Sequence, residues 1–106
     1  MVTVDSRDWF TRYVQMAPVD EEISVEGAAV HYLRWGDPTT TPGLVFIHGG
    51  AAHAHWWSHV APAFLPRHSA VAVDLTGHGE SDHREEYLLE TWCAEVAAVI
   101  ADAGFV

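Results

Sequence analysis

The feature that most constrains the fold is a short apolar run that ends abruptly at polar and flexible residues. Residues 44–47 read Leu-Val-Phe-Ile and are followed by His48, Gly49, Gly50 and Ala51. An unbroken apolar run of this length is typical of a strand buried on both faces, as in a parallel sheet. The two glycines would let the chain turn sharply and leave backbone N–H groups unobstructed. Such groups can stabilise a negative charge that develops on oxygen, so this stretch is the first candidate for chemistry.

The remaining sequence predicts strands that alternate with helices. The predicted order is a helix over residues 6–17, a hairpin of residues 23–25 and 29–35, the strand that ends at His48, a helix over 55–65 that Pro62 bends or shortens, a strand over 69–75, and a helix that begins near Leu89 and ends at Gly104. This alternation indicates an α/β layer structure. We divide the chain into an N-terminal helix and linker, residues 1–21, and an α/β unit, residues 22–106.

Composition and charge exclude several classes of function. The chain has 15 acidic and 5 basic residues and a formal net charge of -10, which argues against nucleic acid or anionic membrane partners. All basic residues are arginine, so a Walker-type phosphate loop and a Schiff-base lysine are excluded. The single cysteine, Cys93, permits no internal disulfide, and the first eight residues lack a signal-peptide pattern. We therefore expect a cytoplasmic location.

Three features together resemble the N-terminal part of an α/β-hydrolase-fold protein. They are a hairpin that precedes the strand ending in His48-Gly49-Gly50, an aromatic-bearing helix with Trp56 and Trp57, and the segment 73–81, Val-Asp-Leu-Thr-Gly-His-Gly-Glu-Ser. The last is similar to the family's Asp-x-x-Gly-x-Gly-x-Ser loop after the fourth strand. The resemblance covers about residues 22–106. It implies a partial α/β-hydrolase sheet, with an N-terminal hairpin, parallel strands and flanking helices.

The resemblance also implies roles for individual residues. The family's strand-to-helix loop supplies one oxyanion-hole N–H, which here would be that of Gly50 or Ala51. Residues expected to shape the two loops are His48, Gly49, Asp74, Gly77 and Gly79. We further hypothesise that His53 and Trp56 line the mouth of a substrate site next to the oxyanion loop.

The sequence departs from the family pattern in its catalytic residues. No Gly-x-Ser-x-Gly nucleophile elbow occurs within the 106 residues, and the family's acid and histidine come later than the nucleophile. Two hypotheses follow. Either the chain is the N-terminal part of a cofactor-independent hydrolase of ester or related bonds, acting on a small molecule once a C-terminal part completes it, or it is a non-catalytic fragment. In the second case it self-associates or pairs with another chain through its exposed sheet edge.

Three groups of residues receive structural interpretations. His53, His55 and His59 form His-x-His-x-x-x-His, and a metal site at these residues is a third and weaker hypothesis. The pattern lacks the acidic residue of a metallo-hydrolase motif, so we expect no metal there, and the resemblance to a cofactor-independent hydrolase implies no cofactor. Cys93 has no evident base beside it, and a buried structural thiol is expected. The glutamates of the last third are interpreted as a solvated face near a helix start: Glu85, Glu86, Glu90 and Glu95.

Overall fold

A computed structural model describes residues 8–105 of the chain. It contains helix α1 (Asp8–Val14), strands β1 (Val19–Val25), β2 (Ala28–Trp35), β3 (Gly43–Ile47) and β4 (Ser69–Val73), and helix α2 (Leu89–Ala103). Two 3-10 turns, Ala54–Trp57 and Ala61–Phe64, lie between β3 and β4. The predicted α/β class and the predicted order of the strands are confirmed. None of the helices within residues 8–105 is long and apolar enough to cross a bilayer.

The four strands form one mixed sheet in the order β1-β2-β4-β3. β1 pairs with β2 and β2 with β4 in antiparallel orientation, whereas β3 and β4 are parallel. The hairpin turn has positive φ at both central residues, 47° at Glu26 and 80° at Gly27, as a two-residue hairpin requires. β1 begins at Val19, earlier than predicted, because its pairing with β2 extends to Arg34.

Strand β4 lies at the centre of the core, and all five of its residues are buried. Val71 and Val73 belong to a cluster that includes Val99 of α2. Ala70 and Ala72 face the other side, where they pack in a cluster with the alanines of the two 3-10 turns. Small side chains on one face and larger ones on the other let the turns approach the sheet closely while α2 covers the opposite face.

Two predicted helices differ from those observed. A continuous helix over residues 55–65 is wrong, because the segment forms two separate 3-10 turns. Pro62 lies in the second turn and has no N–H to donate to the preceding turn, so the two cannot merge into one α-helix. The predicted helix over residues 6–17 is observed as α1, and its predicted start at Ser6 lies outside the described residues. The division at residues 21 and 22 stays a prediction.

Helix α2 buries one side and exposes another. Glu95, Val99 and Ala103 are its buried residues. Cys93, expected to be buried, is exposed. It lies with Ile47 along an apolar groove of about 370 Å³ between α2 and the end of β3. The expectation was wrong because the apolar pattern of α2 extends past the part of the sheet that the described residues supply.

The central position of β4 predicts a large cost for truncating its side chains. Val73 is 0% exposed, so Val73→Ala should lower the free energy of unfolding by about 2 kcal/mol through lost burial and an added cavity. Val19→Ala is the matched control because Val19 is 47% exposed on β1, and its effect should stay within about 0.5 kcal/mol. Urea unfolding monitored by tryptophan fluorescence measures both. Equal losses would contradict the assignment of β4 to the core.

Candidate active site

The two loops with candidate residues meet at the carboxyl ends of the parallel strands β3 and β4. His48 follows β3 and is buried. Its Nε2 accepts a hydrogen bond from the N–H of Leu75, at 3.1 Å, and its Nδ1 lies 2.8 Å from the carbonyl oxygen of Gly49. A ring nitrogen that accepts a backbone N–H carries no proton, so the proton is on Nδ1, which donates to Gly49. His48 therefore connects the two loops through the two nitrogens of one ring.

Asp74 lies at the end of β4 and is 1% exposed. Its Oδ1 accepts the N–H of Ala54 at 2.7 Å, and its Oδ2 accepts the N–H of Glu80 at 3.1 Å and lies 2.7 Å from Nδ1 of His31. Burial acts to raise the pKa of this carboxyl, but the hydrogen bonds to Ala54, His31 and Glu80 outweigh it and hold the pKa below 3.8. The side chain is thus a charged acceptor that joins three segments.

The loop after β4 wraps tightly around this carboxylate. Gly79 has a φ of 52°, and a Cβ at this position would overlap with Oδ1 of Asp74. Gly77 has a φ of 86°, and a Cβ there would lie 2.8 Å from the ring of Tyr87. Both positions therefore exclude a side chain for conformational and steric reasons.

His31 on β2 also belongs to this region, although the sequence analysis assigned it no role. Its Nε2 lies 2.7 Å from Oδ1 of Asp20 and 3.1 Å from Oε2 of Glu80, in addition to the Asp74 contact at Nδ1. Burial lowers the pKa of His31, but the hydrogen bonds to Asp20 and Asp74 and the charges of Asp74 and Glu80 outweigh it and raise the pKa above 6.5. His31 is a histidine on a predicted strand, and two of its three carboxylate partners are 43 and 49 residues away, too distant for any local pattern to reveal them.

The loop after β3 contains the expected oxyanion donors. Ala51 has a φ of 63°, whereas neither Gly49 nor Gly50 has a positive φ. Ala51 thus adopts the left-handed conformation that is usually found at glycine. The N–H of Ala52 donates to the carbonyl of Gly49 at 3.2 Å and closes the turn. Within residues 8–105, the N–H groups of Gly50 and Ala51 have no hydrogen-bond acceptor.

A cavity of about 450 Å³ opens beside this loop. Gly49, Gly50 and Trp56 are among its lining residues, together with Trp57 and Val60. Trp56 is 60% exposed and lies at the rim.

The three histidines of residues 53–59 occupy different positions relative to the cavity and do not form a cluster. The ring of His53 meets that of Trp56 edge to face at 6.2 Å but does not line the cavity. His59 lines the cavity and packs against Phe10 of α1 at 5.6 Å. In the part of the chain that the structure describes, His53, His55 and His59 do not bring three ligand atoms together.

A comparison with protein families identifies the family to which this chain belongs. The model of the alpha/beta hydrolase fold matches residues 42–103, which include β3, both loops and α2. The chain belongs to the α/β-hydrolase-fold family.

Individual relatives of this α/β-hydrolase-fold chain include enzymes of different substrate classes. Esterase Rv0045c of Mycobacterium tuberculosis is 41% identical over 69 residues, which cover 65% of this chain and 22% of the esterase. Epoxide hydrolase 4 of Mus musculus is 30% identical over 86 residues, 78% of this chain and 24% of the hydrolase. The solved thioesterase domain from the curacin biosynthetic pathway superposes with a TM-score of 0.73 at 31% identity, over 81% of this chain and 33% of that one. The chain therefore spans between about a fifth and a third of these relatives.

Glu95 of the α/β-hydrolase-fold chain corrects the interpretation of the acidic residues as a solvated face. It is 0% exposed, and its carboxylate accepts the N–H and the Oγ1–H of Thr76 at 2.8 and 2.7 Å. The Nε of Arg84 donates to it at 3.1 Å, while the other nitrogens of Arg84 donate to the carbonyls of Val25 and Glu26. The buried ion pair of Glu95 and Arg84 thereby joins α2 to the loop after β4 and to the hairpin.

Removing this charge should destabilise the fold strongly. Glu95→Gln leaves Arg84 without its anion and one Thr76 donor without an acceptor, so we expect a loss of about 3 kcal/mol in the free energy of unfolding. Glu90→Gln on the exposed first turn of the same helix is the control and should cost no more than about 0.5 kcal/mol. Urea unfolding compares the two. A small loss in Glu95→Gln would show that the ion pair contributes little.

Proposed function

We propose that the chain is the N-terminal part of a cofactor-independent hydrolase that cleaves an ester or a related bond. Its contribution is a backbone N–H of the loop after β3, which would stabilise the negative charge on the substrate oxygen. The observation that carries this proposal is that the N–H groups of Gly50 and Ala51 have no acceptor in the described chain and belong to a loop beside a cavity.

Gly50 is the better donor of the two. It lines the cavity of about 450 Å³ and also a second one of about 230 Å³ with His48, His78 and Trp92, whereas Ala51 lines neither. His48 is not a general base in this proposal, because both of its ring nitrogens already make hydrogen bonds to the backbone. It would position the loop instead.

The cavity wall suggests the kind of substrate. Trp56, Trp57 and Val60 offer an apolar surface, which favours a small molecule with an apolar group next to the reacting bond. The similarity to an esterase at 41% identity favours an ester over an epoxide. A nucleophile, an acid and a histidine would have to come from a C-terminal part, and whether the nucleophile is serine, aspartate or cysteine stays open. The cytoplasmic location stays a prediction.

A chimera tests the proposed function. The matching segment of Esterase Rv0045c is replaced by that of this chain, and hydrolysis of p-nitrophenyl butyrate is measured. We expect kcat within about tenfold of the parent esterase. Gly50→Pro in the chimera removes the N–H and should lower kcat by about 10² to 10³. Gly50→Ala keeps the N–H, and its Cβ would have no atom within 4 Å, so its loss should be far smaller.

The outcomes of this experiment separate the parts of the proposal. A chimera that folds but hydrolyses no ester overturns the hydrolase function. Equal losses in Gly50→Pro and Gly50→Ala point to a steric effect rather than a lost donor. A fully active Gly50→Pro moves the donor to Ala51. Circular dichroism of each variant establishes that the fold is retained.

A second candidate function is pairing with another copy through the edge of β3. β3 ends the sheet of the described residues, and Ile47 at its end is 49% exposed. The apolar groove between β3 and α2 continues this surface. The opposite edge, β1, contains Asp20, Glu21 and Glu22, and charge on an edge strand disfavours pairing. A second copy would therefore add to β3 and not to β1.

A charge on each edge tests this second candidate. Ile47→Lys places a lysine in the groove and should convert a self-associating chain into a monomer. Val19→Lys is the control because Val19 is 47% exposed on the opposite edge strand, and it should leave association unchanged. Sedimentation velocity over a hundredfold concentration range measures both. A wild-type chain that stays monomeric, or equal effects of the two substitutions, would rule out pairing through β3.

A further inference from the structure

Beyond the proposed hydrolase site, three metal-ligating atoms from three separate segments converge on one point. They are Oδ1 of Asp20 on β1, Nε2 of His31 on β2 and Oε2 of Glu80 in the loop after β4, and they all lie within 4.8 Å of one another. Nε2 of His31 is 2.7 Å from the Asp20 oxygen and 3.1 Å from the Glu80 oxygen. One imidazole and two carboxylates form a mixed nitrogen and oxygen donor set suited to a divalent ion such as Zn²⁺.

The orientation of His31 is fixed from behind. The side chain of His31 is 8% exposed, and its Nδ1 lies 2.7 Å from the buried carboxylate of Asp74. Asp74 is itself held by the N–H groups of Ala54 and Glu80. Metal-binding histidines commonly donate their second ring N–H to a carboxylate in this way, which sets the tautomer and aims the other nitrogen at the metal. The hydrogen bond at Nδ1 thus fixes the orientation of the ring, and Nε2 points toward the two exposed carboxylates.

Charge supports a cation at this point. Three carboxylates, those of Asp20, Asp74 and Glu80, surround the imidazole of His31. Within residues 8–105, the ion pairs of Asp20 and Glu80 are made with His31. A divalent ion would offset the negative charge of these carboxylates.

We propose that Asp20, His31 and Glu80 bind one Zn²⁺, with Asp74 as the residue that positions His31. On binding, the Nε2 proton leaves to solvent and the Nδ1 proton stays in the hydrogen bond to Asp74. Ligand atoms about 2.0 Å from a tetrahedral zinc are about 3.3 Å apart, so the distances from Nε2 to the Asp20 and Glu80 oxygens, 2.7 and 3.1 Å, would each lengthen by less than an ångström. Both side chains are 66% exposed, which permits this movement and leaves room for a water as fourth ligand.

Zinc binding would cross-link parts of the chain that are distant in the sequence. Zinc would join both strands of the hairpin to the loop that wraps around Asp74, and it would stabilise the folded chain in proportion to its concentration. The three proposed ligands belong neither to the histidine run at residues 53–59 nor to the proposed oxyanion loop, although Asp74 contacts both His31 and the N–H of Ala54.

Titration calorimetry of ZnCl₂ into the tag-free, chelator-treated chain tests the proposal. We expect one site per chain, and Asp20→Ala and Glu80→Ala should each weaken binding at least tenfold. Glu86→Ala removes another exposed carboxylate outside the cluster and should leave the affinity unchanged. The double variant His55→Ala/His59→Ala should also keep the affinity, because these rings are not ligands in the proposal.

Thermal unfolding supplies a second readout that separates ligand loss from misfolding. Zinc at a hundredfold excess over Kd should raise the midpoint of the wild-type chain by several degrees and that of Asp20→Ala by much less. Without zinc, the midpoints of the two chains should agree within a few degrees, because Asp20 is exposed. The proposal is overturned if zinc does not bind or if binding survives in both Asp20→Ala and Glu80→Ala. Loss of binding only in His55→Ala/His59→Ala also overturns it.

Discussion

The carboxylate of Asp74 is buried among segments that are far apart in the sequence, and a buried charge is stable only when its oxygens are fully hydrogen-bonded. Here the donors come from His31 of the hairpin, Ala54 of the first 3-10 turn and Glu80 of the following loop. Each of these segments must therefore hold its position for the charge to be satisfied. The conformation of Gly79 is a consequence, since the chain can pass this close to the carboxylate only without a side chain.

The same interaction sets the geometry of the candidate active site. The hydrogen bond from Ala54 fixes the chain three residues after Ala51, and His48 fixes it three residues before. The loop between them is thus anchored at both ends to the segment that follows β4. Its free N–H groups can then keep one direction without hydrogen bonds of their own, which is what electrostatic stabilisation of a developing charge requires. Preorganisation in this loop derives from contacts outside it.

The elements that the sequence predicted correctly are those with local causes. The Glu26-Gly27 turn, the apolar runs of β3 and β4 and the spacing in α2 each contain their own signal. Two failures share a tertiary cause. Glu95 looks like a surface glutamate until Arg84 and Thr76 are brought beside it. His31 meets Asp74 and Glu80 only when the hairpin packs against the loop after β4. The wrong helix over residues 55–65 has a local cause instead, because Pro62 separates the two 3-10 turns.

The groove beside β3 relates the two candidate functions to each other. Ile47, Leu75, Trp92, Cys93 and Val96 line it and give the groove an apolar wall. By the family resemblance, the strand that carries the nucleophile would lie next to β3, so a C-terminal part and a second copy would compete for the same edge. Completion of the hydrolase would thus cover the surface proposed for pairing with a second copy, and the two candidate functions would exclude each other in any one molecule.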